Sequence, residues 1–123
     1  MFLTIMAVIP AFFGALFFLT PERMLGNYGF VVDAPMKLLG YSVGSMLIAI
    51  GALNLLSRNF TEPSAVRVVL STNIVVQLLT GAVDAYGTAS GAMNSDGWGA
   101  VAMHAVFLLG FAYYLFVKKE TPP

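Results

Sequence analysis

Asn73, Gln77, Thr80 and Asp84 follow one another at spacings of four, three and four residues, inside the apolar stretch STNIVVQLLTGAVDAYG. That spacing sets all four on one face of a helix. His104, the single histidine of the chain, lies in a second apolar stretch. A carboxylate and an imidazole can exchange a proton, and amide and hydroxyl groups can orient either of them. A neutral imidazole can also ligate the central metal of a tetrapyrrole. In lipid such groups are costly, because an unsatisfied polar group there loses several kcal/mol.

The elements that must position these residues follow from charge placement. Of 123 residues, 59% are hydrophobic and 10% charged, against about 25% charged in an ordinary soluble domain. So short a chain cannot bury that much apolar surface in a core of its own. Charge-free windows fall at residues 1–21, 38–57, 68–83 and 97–117, and a spanning helix needs roughly 20 mainly apolar residues. The third window reaches that length when Arg67 and Asp84 stand at its two ends, roughly 26 Å apart at 1.5 Å per residue. The expected fold is all-α: one domain, residues 1–123, an integral membrane bundle of four antiparallel helices at about 1–20, 37–57, 65–87 and 97–117. The first segment lacks the basic flank and small-residue cleavage site of a signal peptide, so it reads as a span.

Depth then sorts the polar residues. Gln77 is roughly 15 Å in from Arg67, near the midplane, and Asp84 falls at the far interface. His104 lies about 9 Å in from Trp98, level with Thr80 and Gln77 if the last two helices run antiparallel. Tyr41 of the second segment falls in a similar layer, and Asn73 lies one turn further along. The expected cluster is therefore Gln77, Thr80 and His104 with Tyr41, with Asn73 as a further ligand candidate and Asp84 and Trp98 at the interface. Three uses compete for it: hydrogen bonds that fix the bundle, a lipophilic ligand site (quinone, sterol, lipid or a pigment such as chlorophyll), and a transport or proton path. As a tetrapyrrole ligand His104 would suffice alone; no other metal site is expected.

Gly40, Gly44 and Gly51 share a face of the second segment, although Leu47 or Ile48 interrupts the stripe. Small residues at that spacing let helices approach closely in lipid. Pro10 removes one backbone hydrogen bond from the first segment and is expected to kink it. Thr61 or Ser64 is the expected cap of the third helix, and Asp96 of the fourth.

Arg58, Arg67, Lys118 and Lys119 fall on one side of the membrane, Arg23 and Lys37 on the other. The excess favours both termini on the cytoplasmic side, or its stromal or matrix equivalent. Zero net charge and the lack of a basic patch argue against nucleic acid as a partner. No cysteine, H-E-x-x-H, G-x-S-x-G or phosphate-binding glycine loop is present, so no enzymatic role is expected.

The pattern FLTPERMLG, KLLGYSVGSMLIAIGAL, RN, GAVDAYG and GWGAVAMHAVFLL resembles the DoxX-like, small four-helix membrane proteins of bacteria and algae. The resemblance implies a four-helix membrane bundle and a quinone-dependent redox neighbour, and it assigns no catalytic residue. The expected function is that of a non-catalytic accessory subunit in a larger membrane complex of energy conversion, photosynthetic or respiratory, surrounded by lipid and other subunits. A stand-alone lipophilic-ligand binder around Gln77 and His104 is the alternative, and a small transporter the third reading.

Overall fold

The computed structural model describes residues 1–118. The tail from Lys119 onward, including one of the basic residues in the orientation count, lies outside the described residues. Helices account for nearly all of the chain: α1 (Phe2–Leu19), α2 (Pro21–Asn27), α3 (Ala34–Ser57), α4 (Pro63–Ala89) and α5 (Gly97–Ala112), the last continuing into a π-helical turn, Tyr113–Val117. No strand occurs among the described residues. Four helical stretches, α1, α3, α4 and Gly97–Val117, are long and apolar enough to cross a membrane. The protein is an integral membrane protein by this measure.

The helix ends have local causes. α3 begins three residues before Lys37 because Asp33, in extended backbone, accepts the Met36 N–H at 2.9 Å. Proline in the first turn is tolerated there, where N–H groups have no helical partner. α4 departs from the expected cap. Pro63 takes the first helical position, which makes Glu62 the capping residue and puts Ser64 inside the helix, its hydroxyl donating to Glu62 Oε1. Neither Thr61 nor Ser64 caps it. Asp96 precedes α5 but has helical backbone and makes no side-chain cap; Asn94 Oδ1 instead accepts the Asp96 N–H at 3.0 Å. The stretch PERMLGN, read from sequence as part of a connection, is the helix α2. Its Glu22 pairs with Lys37 at 2.6 Å, and the hydrogen bond from the ammonium holds the Glu22 carboxyl below its ordinary range.

The chain divides into two compact units, Met1–Asn59 and Phe60 onward. In the first, residues early in α1 meet residues late in α3, so the two form a hairpin around α2. A Cβ on Gly44 would lie 2.7 Å from the Gly14 carbonyl oxygen, and one on Gly51 2.8 Å from that of Ala7. These are backbone contacts, which only glycine permits. Ile48, the large residue interrupting the α3 stripe, is accommodated by Gly14 on α1, where a Cβ would come within 2.9 Å of Ile48 Cγ1. Gly40 is covered by Pro21 of α2.

Gly44→Ala is therefore expected to destabilise the protein by about 1–2 kcal/mol, overpacking outweighing the roughly 1 kcal/mol that alanine's helix propensity contributes. Gly99→Ala, at a helical position with nothing within 4 Å of a new Cβ, should be neutral or stabilising by up to about 1 kcal/mol. Unfolding in mixed micelles compares the two; equal effects would contradict the close α1–α3 approach.

α1 is continuous through Pro10. The missing proline N–H would have donated to the carbonyl four residues back, that of Met6. Asn54 of α3 supplies the replacement: its Nδ2 donates to Met6 O at 3.0 Å, and Asn54 is 1% exposed. Backbone groups freed inside a membrane are re-satisfied in this way by a neighbouring helix.

In the second unit α4 and α5 form a hairpin turned by residues 90–96, with Gly91 at φ +78. Gly97 lies against Thr88, and Gly81 lies against His104 so closely that a Cβ there would stand a tight 3.2 Å from the histidine Cβ. Beyond Phe111, which is buried, the wider π turn ends with the Lys118 N–H donating to Tyr113 O at 3.0 Å. The Lys118 ammonium stands 4.8 Å from the centre of the Tyr114 ring, a cation–π contact.

Candidate functional site

Four of the sequence-selected residues converge within the α4–α5 hairpin. His104 reaches from α5 to the polar face of α4 and lies along it. Its Nδ1 is 2.6 Å from Gln77 Oε1 and 3.2 Å from Thr80 Oγ1, and its Nε2 is 3.3 Å from Asp84 Oδ2. The Thr80 hydroxyl donates to the Val76 carbonyl at 2.7 Å, which leaves its lone pairs toward the ring. One turn further, the Thr88 hydroxyl donates to the Asp84 carbonyl at 2.8 Å.

Gly81 makes this possible. It occupies the face between Gln77 and Asp84, and its lack of a side chain lets the histidine Cβ approach α4 closely enough for the ring to span both neighbours. The sequence reading passed over Gly81, although its spacing of four from Gln77 and three to Asp84 marks the same face. Gln77 is 8% exposed, while the His104 and Asp84 side chains keep 16% and 24% of their surface accessible. Asp84 was expected at the interface, near the helix end; it lies five residues before the end of α4 at Ala89, with its carboxylate beside the imidazole.

The remaining candidates make other contacts. Asn73 is buried one turn before Gln77 and donates to the Val69 carbonyl of its own helix at 2.9 Å. Tyr41 belongs to the first unit, where its ring tilts against Phe18 at 5.7 Å between centres. Trp98 lies in the first turn of α5, half exposed. The sequence reading also missed Asn54 and Ser57. They continue the Gly40, Gly44, Gly51 face at steps of three, and both are buried.

No family model matches the chain, and no curated protein or solved structure matches it either. The site must therefore speak for itself. Among the described residues no three His, Cys, Asp or Glu side chains gather as a metal-binding group. Both nitrogens of His104 are engaged by α4, so axial ligation of a tetrapyrrole would require the Nε2–Asp84 contact to open. In the arrangement as it stands, the imidazole joins two helices.

Proposed function

We propose that the four long helices form one antiparallel bundle, with both termini on the cytoplasmic, stromal or matrix side, and that the protein is a non-catalytic accessory subunit of a larger membrane assembly. The observation that carries this reading is the engagement of both His104 nitrogens by α4 side chains. The residues best suited to chemistry are occupied in joining helices, which is a structural use of polar groups in lipid. The apolar surface adds support. Val68, Val75, Leu79, Val83, Val106 and Leu109 are all more than half exposed, and such faces are covered in a membrane by lipid or by neighbouring helices. The excess of Arg58, Arg67 and Lys118 over Arg23 and Lys37 supports the orientation. The resemblance to DoxX-like proteins supports a place in energy conversion, beside a redox partner.

Gentle detergent extraction of the tagged protein, followed by size separation with absorbance monitored across the visible range, tests the proposal. Elution within a large particle carrying other chains is the expected result. Elution as a colourless monomer or dimer would overturn it.

A further inference from the structure

A hydroxyl inside a membrane helix can satisfy itself by bonding to its own backbone. Ser42, Ser45, Thr80 and Thr88 each do so, donating to the carbonyl four residues back. Ser71 and Thr72 do not. Both are exposed on α4, and neither has a hydrogen-bond partner among the described residues. They lie one turn inside Arg67, roughly 6 and 8 Å further along the axis. Arg67 is exposed too, and its guanidinium makes no ion pair or hydrogen bond among the described residues. Val75, Leu78 and Leu79, all more than half exposed, continue the same face at steps of three and four. The stripe is graded in polarity: a cation at the end of the span, two hydroxyls beneath it, then hydrocarbon.

We propose that this stripe binds one glycerophospholipid of net negative headgroup: its phosphodiester on Arg67, its ester carbonyls on Ser71 and Thr72, its acyl chains along Val75, Leu78 and Leu79. The depths correspond. The polar zone of each leaflet is roughly 5–8 Å thick, so a phosphate level with Arg67 puts the ester groups beside the two hydroxyls. A guanidinium offers a phosphate parallel N–H donors, and a carbonyl oxygen is the acceptor that an unpaired hydroxyl needs. Charge selects the headgroup. Counted from the contact of Gln77 with His104, Arg67 lies ten positions along α4 and Lys118 fourteen along α5 and its π turn, which sets the two cations within roughly one turn of depth. Glu62 is the acid nearest to Arg67 in sequence, and its carboxylate accepts the Ser64 hydroxyl. An apolar neighbouring helix laid on the stripe would bury the guanidinium without an anion, at a high desolvation cost; a phospholipid brings the anion and the acceptors together. The lipid site goes beyond the accessory-subunit reading and rests only on the spanning helices.

The purified chain is equilibrated in mixed micelles with equal amounts of phosphatidylglycerol and phosphatidylcholine, and the lipid retained per chain is read by native mass spectrometry. Retention of phosphatidylglycerol about tenfold over phosphatidylcholine is the expected result, and Arg67→Gln should cut that retention about tenfold, the equivalent of one charged hydrogen bond. Diether phosphatidylglycerol has the same headgroup and no ester carbonyl. The wild type should hold it about threefold more weakly than the diester, whereas the double variant Ser71→Ala, Thr72→Val should hold the two lipids alike. The diester–diether comparison uses the native chain alone, so it decides even where a variant fails to fold. Equal retention of both headgroups by the wild type, an Arg67→Gln variant that keeps its phosphatidylglycerol, or a native chain indifferent to the ester would each overturn the proposal.

Discussion

Asn54→Leu should destabilise the first unit by about 3 kcal/mol, because the Met6 carbonyl then has no donor in surroundings without water. The leucine is of similar size and more apolar, so transfer energy by itself would favour the variant in lipid. Hydrogen bonding opposes that term, and it should prevail because Met6 O is freed by Pro10 and met by Asn54 Nδ2 at 3.0 Å. The origin of the cost is open to a thermodynamic cycle. Pro10→Ala restores the N–H four residues after Met6 and returns the carbonyl to its own helix. In that background Asn54→Leu should cost about 1 kcal/mol or less. Unfolding free energies of the four chains in mixed micelles give the coupling. An equal cost in both backgrounds would mean that Asn54 does not replace the bond that Pro10 removes.

The second large effect belongs to the other hairpin. His104→Phe keeps a ring of comparable size against Gly81 but removes the ring nitrogens that Gln77 Oε1 and Asp84 Oδ2 each face. Interhelical hydrogen bonds in membranes contribute about 0.6–2 kcal/mol each, and a stranded buried acceptor adds to the loss. A destabilisation of about 2–3 kcal/mol is expected. Gln77→Leu made on top of His104→Phe should add little, and should recover part of the loss by removing the stranded amide. Simple additivity of the two, measured by the same unfolding assay, would show that the amide and the ring do not act on one another.

These two links differ in how visible they are in the sequence. The four spans follow from where charges are absent, and the structure extends α3 and α4 past the expected ends only where Asp33, Pro63 and the turn after Thr88 set the boundary. The face joining Gln77, Thr80 and Asp84 is written in helical spacing, and His104 reaches it because both helices share one turn of only a few residues. Asn54 carries no such signal. It lies on the glycine face of α3, but its role depends on which carbonyl comes opposite, and that carbonyl is exposed by a proline 44 positions earlier. Periodicity reports a face and is silent about its partner. The helix α2 escaped for a different reason: seven residues with two charges and an early proline have too little apolar period to separate from a loop.

The glycines teach a related lesson. Gly40, Gly44 and Gly51 share one face but do two different things: Gly40 admits the Pro21 ring of α2, while Gly44 and Gly51 admit the α1 backbone at Gly14 and Ala7. Ile48 breaks the stripe in sequence and completes it in space, because Gly14 on the opposite helix leaves room for it. A motif read on one helix is half of a surface, and the other half decides how close the approach can be.

The central claim is that the His104 cluster joins two helices and does not hold a cofactor. His104→Phe, purified by the same gentle extraction as the wild type, tests it in one preparation by thermal stability, particle size and visible absorption per chain. A lower Tm with unchanged particle size and absorption is the predicted result. Loss of bound chromophore at unchanged Tm would contradict the claim and make the histidine a ligand.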